Sequence, residues 1–199
     1  FRSSGNQEHQ QNISLISNTT LQGSAGVLGG SFDGGSHDFI MNFASTTTIG
    51  GGINNVANFT SVGAVDVTSD IATTESQEYQ SLVSLNANAT FTGTSGIFTS
   101  GLDGNGNDLT LNFSAATTID GNNVFSDLGS LRSIGDVNLN GTIVTANVQT
   151  YEANMTLIGT TVLQGQQGII NGTLIGNNND LTLNFTTETA IAGDGNGIN

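Results

Sequence analysis

Asp38-Phe39-Ile40-Met41-Asn42-Phe43 returns as Asp108-Leu109-Thr110-Leu111-Asn112-Phe113, and again as Asp180-Leu181-Thr182-Leu183-Asn184-Phe185. The closing phenylalanines, at 43, 113 and 185, set successive spacings of 70 and then 72. Two further markers keep the same phase. One is Gln7-Glu8-His9, Gln77-Glu78-Tyr79 and Gln149-Thr150-Tyr151; the other is Gly26, Gly96 and Gly168. The repeats run approximately over 7–76, 77–148 and 149–199, the last incomplete, and the whole of 1–199 reads as one solenoid domain. Repeats of this kind stack, each unit burying its apolar face on its neighbours.

A finer pattern runs inside each block, an apolar-x-apolar triplet. It starts at Ile13, Phe39, Val65, Val83, Leu109, Val137, Met155 and Leu181. Alternation within each triplet is the signature of a strand with one buried face. Clusters such as Asp33-Gly34-Gly35 and Asp103-Gly104-Asn105-Gly106 mark turns between them. The chain holds 28 Gly and no Pro among 199 residues, and no stretch carries a helical period. These features predict an all-β, single-stranded parallel β-helix (β-solenoid) of about eight coils, right-handed being the usual choice at this coil length. At ~4.8 Å per coil such a rod is about 40 Å long. The rival is a string of three immunoglobulin-like sandwiches. A repeat of about seventy is short for that fold, and its Trp and Cys landmarks are missing.

The formal net charge is −14, with Arg2 and Arg132 the only Lys or Arg. Such a surface repels nucleic acid and anionic lipid. There is no Cys, hence neither a disulfide nor a thiolate metal site. No apolar run reaches the ~18 residues of a membrane helix. Phe1 is not a start residue and no signal peptide is visible, so a processed product or an excised segment is expected.

Residues 65–79, from Val65-Asp66-Val67 to Gln77-Glu78-Tyr79, followed by Val83-Ser84-Leu85-Asn86, resemble the repeats of large bacterial exoproteins. These are the filamentous-haemagglutinin-like adhesins and autotransporter passengers. The likeness runs from about Gln7 to Gly193. It implies a right-handed parallel β-helix, export to the cell surface and adhesive or structural work, and it supplies no catalytic residue. The expected function is therefore a secreted or surface-exposed rod: a segment of an adhesin, or the subunit of a head-to-tail filament. A carbohydrate-binding or polysaccharide-cleaving β-helix is the alternative.

Site candidates follow from the side chains. Asp33 and Asp38, with their copies Asp103 and Asp108, form Gly/Asp loops of the kind that bind calcium. The competing reading, which we prefer, is a turn whose Asp bonds its own backbone. No other cofactor is indicated. Nine Asn-x-Ser/Thr sequons, at Asn12, Asn18, Asn58, Asn88, Asn112, Asn140, Asn154, Asn171 and Asn184, are candidate glycan acceptors, although so Asn- and Thr-rich a chain produces them by accident. Threonine runs at Thr46-Thr47-Thr48, Thr117-Thr118 and Thr186-Thr187 suggest a hydroxyl array or plain outward strand residues. Asp66 with Asp70, or Glu75 with Glu78, offers a carboxylate pair for glycoside hydrolysis. These acids follow the repeat pattern, so no catalytic residue is assigned. Tyr79 and Tyr151 are read as corner packing against the next coil, in preference to a row of rings for a ligand. Partners are expected at the rod ends, from a second copy, or along its sides, from a glycan or surface receptor.

Overall fold

The computed structural model describes residues 1–193 and 195–198, with 121–123 and 195–198 by backbone alone. Every strand pairing in it is parallel, and among the described residues there is no helix. The chain winds as a β-solenoid of about nine turns.

Register partners define the geometry. From Gln7 the column runs through Gly26, Thr47, Val65, Val83 and Leu102, then Phe125, Ile143, Leu163 and Leu183. The advance from 7 to 183 takes nine steps, which sets the mean turn at (183 − 7)/9, about 19.6. A second column starts at Ile13 and passes Phe32, Ile53, Ile71, Phe91 and Leu111 on the way to Ile191. A third starts at Leu21 and passes Met41, Ser61, Tyr79, Phe98 and Ile119. Each turn therefore has three faces, which we number 1, 2 and 3 in that order.

Alternation sends every second residue inward. Strands Val65–Val67 and Val83–Leu85 both bury their outer two residues and leave the middle one half-exposed. The interior is one continuous apolar column, with Phe32 stacked on Phe39 at 4.1 Å and Tyr79 on Phe98 at 4.8 Å. Between turns the backbone bonds each coil to the next, so a modest apolar fraction suffices.

The long repeat does not span whole turns. Phe43 closes a strand on face 3, Phe113 one on face 2 and Phe185 one on face 1. Counting along the columns, each repeat advances three turns and two faces, eleven strand segments in all. Equivalent residues therefore occupy different faces, not one row three coils apart. The inner triplets obey the same rule. A spacing of 26, as from Ile13 to Phe39, is one turn plus one face; a spacing of 18, as from Val65 to Val83, is a single turn. Eight triplets thus mark nine turns, not eight.

Candidate functional site

The repeat markers converge on the corners, where the chain passes from one face to the next. Gly23 and Gly26 flank one corner, and a Cβ on Gly26 would lie 2.9 Å from two ring carbons of Phe43 on the coil beyond. A Cβ on Gly96 would overlap the Phe113 ring, and one on Gly168 the Phe185 ring. The three Phe–Gly locks share one geometry on three different corners. Thr47 and Thr117, the register partners of Gly26 and Gly96, point inward and are 1% exposed. Thr186 and Thr187 face outward. The threonine runs therefore form no hydroxyl plane.

The Gln-x-Tyr marker is a buried polar cluster, and its rings pack inside the corner instead of forming a surface row. Gln77 and Tyr79 are both fully buried. The Tyr79 hydroxyl donates to Gln77 Oε1 at 2.8 Å, while Gln77 Nε2 donates to the carbonyls of Ile71 at 3.0 Å and Thr92 at 2.8 Å. Gln149 repeats this with Tyr151, Ile143 and Gln164 at 2.9, 3.1 and 2.8 Å. In the first copy Gln7 Nε2 reaches the Gln22 carbonyl at 2.6 Å, with His9 taking the place of tyrosine. Burial pushes both tyrosine hydroxyls well above the ordinary phenol range. A glutamine fits because one amide both donates to corner carbonyls and accepts from the ring hydroxyl. Sequence reasoning missed this role, although the constant offset from Gln77 to Thr92, Gln149 to Gln164 and Gln7 to Gln22 was a usable signal.

The Asn and Asp residues just before strands form ladders along the corners. Asn18 Oδ1 accepts from Asp38 N at 3.0 Å, Asp38 Oδ1 from Asn58 N at 3.3 Å, and Asn58 Oδ1 from Ser76 N at 3.2 Å. Asn88 does the same for Asp108, and Asp136 for Asn154, which in turn holds Thr173. This accounts for many of the sequons. Asn at the corner, an inward residue, then an outward Ser or Thr spells Asn12-Ile13-Ser14, Asn18-Thr19-Thr20, Asn58-Phe59-Thr60 and Asn154-Met155-Thr156. Asn112 and Asn184 lie inside paired strands.

The four acids of the candidate calcium loops take part in such hydrogen bonds. Asp33 Oδ1 accepts from Gly35 N at 3.0 Å and Asn55 Nδ2 at 3.1 Å, and these two bonds hold its carboxyl below the usual range. Asp103 Oδ1 likewise accepts from Asn105 N at 3.0 Å. The turns carry left-handed residues, Gly35 and Ser36 in one, Asn105 and Gly106 in the other. Asp38 accepts from Asn18 and Asn58, and the backbone N–H of Asp108 is held by Asn88. Among the described residues no three of His, Asp and Glu gather to hold an ion.

The paired acids weighed for glycoside hydrolysis are drawn into the same fabric. Asp66 lies outward between Thr48 and Ser84, and Asp70 accepts from Thr90 N at 2.7 Å. Glu75 accepts from Asn58 and Glu78 from Gln80. Where Asp or Glu stands in a described register pair, its partner is never another acid; Asp66 faces Ser84, Glu78 faces Ile97 and Glu188 faces Gln167. Like charges directly across a ladder are destabilising, so this arrangement limits the cost of a −14 chain. Arg132 bonds Glu152 at 3.1 Å. Asn171 and then Arg132 hold the Glu152 carboxyl below its usual range, so this contact stabilises above that range and is lost as pH falls through the folded value.

One substitution tests the ladder. Asn58→Asp places a carboxylate between Asp38 and Glu75. It should destabilise the rod by about 1–2 kcal/mol at pH 7, less at high salt. Its like-charged neighbours raise the new carboxyl's folded pKa, so the difference from wild type should shrink as pH falls through that raised value and be lost below about 4, the unfolded value. Thermal melts at pH 7 and pH 3.5 check both signs; a variant equal to wild type at pH 7 argues against a tight ladder.

No family model, no curated protein and no solved structure matches this chain.

Proposed function

We propose that the protein is a structural rod of the cell surface or extracellular space, serving as the stalk of an adhesin or as the subunit of a head-to-tail filament. The observation that carries this reading is where the repeat-kept residues go. The Phe–Gly locks, the bonds from the Gln77 and Gln149 amides to the Thr92 and Gln164 carbonyls, and the Asn/Asp ladders all join one coil to the next. A chain that keeps its side chains for stacking is kept for its length and stiffness.

Electron microscopy of the purified chain over a concentration series, with and without calcium, tests the reading. Fibres of constant width that lengthen with concentration support the filament form. Isolated rods of about 43 Å, nine turns at ~4.8 Å each, support a stalk segment. Globular particles overturn the rod.

A further inference from the structure

We propose that the long repeat is a length module that works at any of the three corners, so that a whole copy can be removed or added while the solenoid survives. Removal shortens the rod by three turns and two faces and rotates everything beyond the cut by one face.

The corner contacts carry the argument. Gly26, Gly96 and Gly168 lie on faces 1, 3 and 2, yet each meets the ring of its own Phe in the same way. Gln7, Gln77 and Gln149 also lie on faces 1, 3 and 2, yet each amide reaches the carbonyl fifteen residues ahead. One set of local contacts thus closes all three corners, and none of them is special.

The interior agrees. Excising the module 77–148 joins Ser76 to Gln149, so Gln149 falls beneath Phe59 instead of Leu131. The coil left above the cut carries Ser61, Val65, Ile71 and Thr73 where the lost coil carried Ser133, Val137, Ile143 and Thr145, all buried. The two remaining exchanges, Phe59 for Leu131 and Val67 for Leu139, change volume in opposite senses. A shorter excision, 77–142, removes ten strand segments instead of eleven. It sets Gln149 beneath Val65 and Tyr151 beneath Val67, so the buried ring meets a valine where the full chain gives it Ser133 and the module excision gives it Ser61.

The experiment compares three variants with the full chain: the module excision 77–148, the shorter excision 77–142 and a tandem duplication of 77–148. Circular dichroism and thermal unfolding report folding, and small-angle X-ray scattering reports length. The module excision should fold cooperatively with unchanged β signal per residue and a maximum dimension shorter by about 18 Å, 3⅔ turns at ~4.8 Å. The duplication, which removes nothing, should be longer by the same amount. The shorter excision should lose cooperative unfolding. Failure of both whole-module variants overturns the proposal, and so does equal folding of the shorter excision, since the repeat would then have no privileged length.

Discussion

Gln77→Leu is expected to destabilise the solenoid by about 3–5 kcal/mol, the largest effect of any single polar substitution considered. The change is nearly isosteric, so packing alone predicts little. What it removes is the donor to the Ile71 and Thr92 carbonyls and the acceptor of the Tyr79 hydroxyl. Each buried polar group left without a partner costs about 1–3 kcal/mol. Tyr79→Phe alone should cost about 1–2 kcal/mol, because it strands one lone pair of Gln77. The double variant should be more stable than Gln77→Leu alone, since phenylalanine has no hydroxyl to strand. Chemical denaturation of the four proteins closes a double-mutant cycle. A cost below about 1 kcal/mol for Gln77→Leu would show that water reaches the corner and satisfies these groups.

The Phe–Gly lock supplies the second large effect. Phe113 is fully buried, and Phe113→Ala should cost about 3–5 kcal/mol through lost contacts and a residual cavity. Gly96→Ala pushes from the other side. Its new Cβ would lie 2.6 Å from Phe113 Cζ, so the ring or the coil must move, at about 1–3 kcal/mol. The two changes should compensate: Gly96→Ala combined with Phe113→Leu should be more stable than the sum of the singles implies, because leucine yields the space the methyl needs. Strict additivity in thermal or urea unfolding would dissociate the glycine from the ring.

Much of this was legible in the chain. The triplets from Ile13 to Leu181 showed strands with one buried face, and the Gly/Asn/Asp clusters showed the turns. Phe43, Phe113 and Phe185 marked the repeat because nothing smaller fills their corner. The fractional turn was harder to see. A spacing of 26 looks like a coil length, and only the register of Val65 directly on Val83, within one face, exposes it as a turn plus a face. The inward threonines were hidden for a related reason. Thr47 and Thr117 are hydroxylated residues in core positions, each with a glycine as its register partner. Gln77 and Gln149 broke the expectation that amides face water, since chain corners leave carbonyls that only a long side chain from within can reach.

The hydrogen bonds between coils lie along the rod axis, which determines how the protein answers to tension. A pull on its two ends loads those bonds one turn at a time, from the last coil inward, as a zip opens. Each turn that peels away releases on the order of 60 Å of slack chain. A solenoid built this way should yield in small steps under load and rewind onto the intact coils when the load is removed.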